Sequence, residues 1–193
     1  MKATLIRIFF ACLMLFGMNL KAEAKHYLHS DSDQVEWYIF PCSEDKSADL
    51  QHYSRLGEWP EQAVKAIVPG TVFASYVAAG KEADPNFGDN IHRVDRQKYD
   101  RSFWYRTEFI LPEELKDDEK QWLHFQGINR KAEIYLNGMF LGQLDGFMHR
   151  GRFDISTYLK KDDKNVLLVK VDIPRTPLAN QGSPNYLSSG GWD

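Results

Sequence analysis

The sequence is poor in several things that would each point to a class of protein. It has two cysteines in 193 residues, Cys12 and Cys42. Cys12 lies in an apolar stretch near the start, so the folded part keeps only Cys42. One cysteine makes no internal disulfide, and the fold must stand on its core even in an oxidising compartment. Cys42 reads as a half-buried small hydrophobe rather than a nucleophile. There is no excess of basic charge: 24 Lys+Arg against 27 Asp+Glu give a net −3. A mildly acidic chain without a basic stripe is a poor nucleic-acid binder. The six histidines show no metal-ligand spacing, so neither a metal nor a cofactor is expected. No internal repeat and no low-complexity segment is visible.

Long hydrophobic runs are also scarce. The longest, Ile8–Leu20, is too short to span a ~30 Å hydrocarbon core comfortably. It follows Lys2 and Arg7 and precedes Ala22-Glu23-Ala24, small residues at the two positions a signal peptidase needs. That three-part pattern predicts a signal peptide over residues 1–24 and export to the periplasm or the extracellular space, with no membrane attachment after cleavage. No lipobox surrounds Cys12. The remaining residues, 25–193, suffice for one domain with a core. They do not suffice for a sandwich plus a (β/α)₈ barrel, which alone needs ~250 residues. The ending Ser188-Ser189-Gly190-Gly191-Trp192-Asp193 reads as a chain cut in mid-motif.

What is present is extended structure. Aromatic residues make up 13%, a composition that suits strands. Val35–Phe40 predicts an edge strand. Val64–Val68 leads into the turn pair Pro69-Gly70, and Thr71 caps a short helix, Val72–Ala79, stopped by Gly80. Phe103–Leu111 predicts a strand ended by Pro112. The acidic stretch Pro112–Lys120 reads as a solvated turn, not a catalytic carboxylate pair. Trp122–Gln126 predicts another strand. Asn137-Gly138 between Ala132–Leu136 and Met139–Leu141 is a hairpin signal, since both turn residues need positive φ. Gly142–Arg152 reads as a loop, with His149, Arg150 and Arg152 a solvated basic cluster on it. Phe153–Ile155 predicts a short extended piece, and Val166–Ile173 a strand alternating near its end. Gly80–Arg101 is a long irregular segment, of a kind usually functional or docked on a neighbour. Short strands, frequent turns and one short helix predict an all-β, jelly-roll-type sandwich.

An ordered set of motifs carries a resemblance. It comprises Val68-Pro69-Gly70-Thr71, Ala83-Asp84-Pro85-Asn86-Phe87-Gly88-Asp89-Asn90, Phe103-Trp104-Tyr105-Arg106-Thr107 and Phe125–Gly142. Phe153-Asp154-Ile155, Asn165-Val166-Leu167, Ser183-Pro184-Asn185-Tyr186 and Gly190-Gly191-Trp192-Asp193 complete it. Together they resemble the N-terminal, galactose-binding-domain-like sandwich of glycoside hydrolase family 2. The Asp-Pro-x-x-Gly-Asp-Asn loop and the Gly-Gly-Trp-Asp ending look most like its β-mannosidase and exo-β-glucosaminidase branch. Asn129 departs from the pattern, where relatives often carry Asp, and so does Met148-His149-Arg150.

The resemblance implies a retaining exo-β-glycosidase whose two catalytic Glu residues sit on a separate barrel, the partner of this domain. No residue of this chain is then catalytic, and the chain alone should be inactive. It also implies substrate-binding roles for Asn90, Trp192 and Asp193 toward a β-linked oligosaccharide or glycoside. A carboxylate accepts sugar hydroxyls, an amide gives and takes, and an indole stacks on a pyranose. A second reading makes Trp192 plain interface packing and Asn90 a cap of its own loop. Two other functions stay open here: a stand-alone carbohydrate-binding module and a scaffold that docks a partner protein.

Overall fold

The computed structural model describes residues 25–32, 35–116, 120–146 and 149–172. The signal-peptide residues, Asp117–Glu119 and everything from Ile173 onward, including Trp192 and Asp193, lie outside the described residues.

Eight strands run in chain order: β1 Trp37–Pro41, β2 Val64–Lys65, β3 Phe103–Phe109, β4 Trp122–Ile128, β5 Lys131–Leu136, β6 Met139–Asp145, β7 His149–Asp154 and β8 Asn165–Asp172. Six form one sheet in the order β2-β1-β3-β8-β5-β6, and β4 and β7 form a second. Every pairing is antiparallel. The period-2 alternation of side chains sends one set of residues between the sheets. Trp37 and Ile39 from β1, Phe103 and Phe109 from β3, Ala132, Ile134 and Leu136 from β5, and Leu167 and Val169 from β8 form the main core. Leu123, Phe125 and Phe153 close it from the small sheet. This is the β-sandwich the sequence predicts.

The structure departs from expectation in four places. β1 is not an edge strand: it pairs with both β2 and β3. The helices are more numerous than one. α1 Lys46–Tyr53, α2 Val72–Ala78, α3 Asn90–Arg93 and α4 Glu113–Lys116 are joined by a 3₁₀ turn at Arg96–Tyr99. Only α2, capped by Thr71 Oγ1 on Ala74 N at 3.0 Å, carried a sequence signal. α1 shows no apolar stripe, which is why periodicity misses it. It is nucleated by Asp45, whose carboxylate accepts from Ser47 N and Ala48 N, both at 3.0 Å.

Gly142–Arg152 is not a loop either, since β6 runs to Asp145 and β7 begins at His149. Its glycines suggest a loop by composition, but Gly151 has a packing role. A Cβ there would lie 2.9 Å from both Leu144 and the Phe153 ring. Finally, β8 is buried on both faces. Val166 and Leu168 join Phe40, Trp104 and Tyr135 in a second apolar cluster on the outer side of the large sheet, completed by Leu50 and Tyr53 of α1.

The Asn137-Gly138 hairpin forms as read, with φ of 52° and 84° at the two turn residues. The Asn137 side chain then ties the turn to β8, accepting from Val166 N at 2.9 Å and donating to Asn165 Oδ1 at 2.9 Å.

Candidate functional site

The long segment after α2 folds as a loop anchored at its two ends. Tyr99 is buried, and its ring packs edge-on against Phe73 and Tyr76, with centroids 5.5 and 5.6 Å apart. Its hydroxyl donates to Glu82 Oε1 at 2.9 Å, and Lys98 Nζ reaches the same oxygen at 2.7 Å. Burial and then the Glu82 carboxylate push the Tyr99 phenol above its ordinary range, so it remains a donor. This brace joins residues 17 apart, with no periodic signal that could have revealed it in the sequence.

Between the anchors, Asp84 organises the tip. Its Oδ1 accepts from Asn86 N at 2.9 Å and Asn86 Nδ2 at 3.1 Å, an Asx-type turn. Its backbone carbonyl accepts from Asn90 Nδ2 at 2.9 Å. Asp89 pairs with Arg93 one helical turn on, at 3.0 Å. Phe87 stands 77% exposed at the tip. Asn90 is half-buried. Its amide nitrogen is committed to the loop, while its Oδ1 makes no hydrogen bond among the described residues and remains an acceptor. The loop-brace reading and the sugar-contact reading of Asn90 are therefore compatible: one uses the nitrogen and the other the oxygen. Trp192 and Asp193 lie outside the described residues.

Three carboxylates outside the loop, Glu108, Glu133 and Glu113, are held by partners. Burial works to raise the Glu108 carboxyl, but the Gly57 N–H at 2.7 Å and the Arg106 guanidinium at 2.7 Å outweigh it and hold it below the usual range. Burial likewise works to raise the Glu133 carboxyl, but Lys46 and the Tyr135 hydroxyl outweigh it, and Glu133 also ends below that range. A general acid needs the opposite shift, so neither is set up as one. Glu113, the head of the acidic stretch, is exposed and paired with Lys116 at 2.6 Å, a surface ion pair. Burial pushes the Cys42 thiol up to about 12, which leaves it protonated and unreactive. A depression of about 580 Å³ opens beside Glu108, Ile110 and Lys164, and it includes no residue of the Asp84–Asn90 loop.

Residues 44–185 match the family described as glycosyl hydrolase 2 galactose-binding domain-like. The mannosylglycoprotein endo-β-mannosidase of Lilium longiflorum is 33% identical over 120 residues, 59% of this chain and 12% of the lily protein. A β-glucuronidase of Formosa agariphila is 34% identical over 104 residues, 52% of this chain and 10% of that protein. Among solved structures, the exo-chitosanase of Amycolatopsis orientalis superposes with a TM-score of 0.62 at 26% identity, covering 74% of this chain and 16% of that one. β-Mannosidases and exo-β-glucosaminidases thus stand among the relatives, as the Asp84–Asn90 motif leads one to expect, beside a glucuronidase. The chain spans less than a fifth of the length of each of these proteins. A match over 142 residues, in an order the strands and the loop reproduce, establishes the family: the chain belongs to the glycosyl hydrolase 2 galactose-binding domain-like family.

Proposed function

We propose that this chain is the N-terminal sandwich of an exported, retaining exo-β-glycosidase and forms one wall of its sugar pocket. The sugar is a β-mannoside or β-glucosaminide, and the chemistry belongs to a barrel domain of the same polypeptide. The observation that carries this reading is the family match over residues 44–185. The Asp84–Asn90 loop supports it: its tip is fixed by local bonds, and among the described residues it leaves the Asn90 acceptor free. Asn90, Trp192 and Asp193 are the proposed sugar contacts. Retention requires two carboxyls ~5–5.5 Å apart, and no pair of Glu residues described above is free for that role. The signal-like start supports export, and the mature chain is then residues 25–193.

The test is to read the coding sequence beyond the Asp193 codon and to assay both products. An in-frame barrel with two facing Glu residues, active on aryl β-mannosides or β-glucosaminides, is the expected outcome. The chain alone should release no aryl group. Turnover by the chain alone would overturn the reading. So would a downstream sequence with no such barrel, which would leave a carbohydrate-binding module.

A further inference from the structure

The small sheet presents a second surface, built from residues with no part in the Asn90 loop. Leu123, Phe125 and Phe153 point from β4 and β7 into the core. By alternation, Trp122 and His124 on β4 and Arg150 and Arg152 on β7 point outward, and all four are exposed. Trp122 is 37% exposed. His124 lies opposite Arg152, and Trp122 opposite Asp154. The Arg152 guanidinium lies over the Trp122 ring, 4.0 Å from its centroid. A guanidinium stacked this way keeps its fork of N–H donors in the plane, directed to solvent.

The charge on this face is unbalanced in the opposite sense to the whole chain, which is net −3. Arg150 and Arg152 make no ion pair among the described residues, whereas Arg93 and Arg106 are both paired. Among the described residues of β4 and β7, the acid on this face is Asp154, and it is engaged locally. Its Oδ1 accepts from Ser156 N at 3.0 Å and Ser156 Oγ at 2.6 Å. Two guanidinium groups with no ion pair among the described residues thus stand two residues apart on one strand, roughly 7 Å along it, beside an exposed indole.

We propose that this face binds polysaccharides rich in uronic acids. A carboxylate takes a guanidinium fork in bidentate geometry, and the same pyranose lies against the exposed part of the indole that Arg152 leaves uncovered. Two arginines in register along a strand suit a ligand that repeats its carboxylate. The site is independent of the exo-glycosidase reading and of Asn90.

Affinity electrophoresis of the full chain through gels containing polygalacturonate, neutral mannan or dextran sulfate tests it. Polygalacturonate should retard the chain, and mannan should not. Arg152→Gln and Trp122→Ala should each weaken the retardation at least tenfold, and Arg150→Gln severalfold. Trp122→Phe, which keeps a ring, should retain most of it and guards against misfolding of the alanine variant; far-UV circular dichroism checks each protein. Lys81→Gln, on another surface, should change nothing. Absence of retardation by polygalacturonate would overturn the proposal. Equal loss with Lys81→Gln, or full binding by Trp122→Ala, would reduce it to ion exchange and overturn it too. Tighter binding to dextran sulfate than to polygalacturonate would overturn the carboxylate assignment.

Discussion

Two aspartates organise two polar regions of this molecule, and they do it in opposite ways. Asp49 is the buried residue of α1, and its Oδ2 accepts from Trp104 Nε1 at 2.9 Å, 55 residues away, and from Ser43 N at 2.8 Å. Asp84 is exposed, and each of its bonds reaches no further than six residues. The first kind of contact clamps distant chain segments together and is expensive to lose, because a buried polar group without its partner keeps its full desolvation penalty. The second kind shapes a loop and adds little to global stability. Polar contacts that span the fold hold it together, and polar contacts that stay local free a surface for recognition.

Arg106 is the extreme case on the clamped side. It is 0% exposed, yet it donates to the Tyr53 carbonyl at 2.8 Å, the Arg55 carbonyl at 2.6 Å and Glu108 at 2.7 Å, with its guanidinium over the Trp59 ring. It thereby fastens the chain that follows α1 to the outer face of β3. Arg106→Met leaves two carbonyls without their donor and Glu108 without its guanidinium partner, and should cost about 3–5 kcal/mol in urea unfolding. A loss under ~1 kcal/mol would erase the contrast between the two regions.

The same region sets the acid response. Glu108 and Glu133 both have folded-state values below the ordinary one. Their contribution is complete above the unfolded-state value, roughly pH 4.3, and is lost as pH falls through the lower folded-state values. Stability should therefore drop below that point, and Glu108→Gln should flatten the drop. An unchanged acid limb in the glutamine variant would remove Glu108 from the account.

Trp104→Phe keeps most of the ring but leaves Asp49 with Ser43 alone, and should cost about 1–3 kcal/mol. Thr71→Ala removes the α2 cap and should cost about 1 kcal/mol, measurable by the same urea titration. Asn90→Ala is the sharpest test on the loop side. Stability should move by less than ~0.5 kcal/mol, since Asn90 is bonded only within its own surface loop. In the barrel-bearing protein the same change should raise KM for the terminal sugar severalfold. A large stability loss instead would make Asn90 a structural residue only.

Much of the sandwich was legible because its signals are local. Asn137-Gly138 marks its hairpin, Thr71 marks the start of α2, strand-forming residues ended by Pro112 mark β3, and alternation near its end marks β8. The loop motif from Asp84 to Asn90 was legible as a motif. The brace between Glu82 and Tyr99 and the division of labour in the Asn90 amide were not, because they depend on which atoms meet in space.

The sequence by itself determined the strand periods, the turn at Asn137-Gly138, the α2 cap and, through its ordered motifs, the family. Those properties rest on backbone dihedral preference and on side-chain alternation, which act over a few residues. The tertiary structure alone decided that β8 buries both faces, that α1 exists, that Arg106 is internal and that Arg152 lies on Trp122. Each of these depends on partners brought together from separate elements, and in the buried cases on water excluded between them. No short window of sequence records either condition.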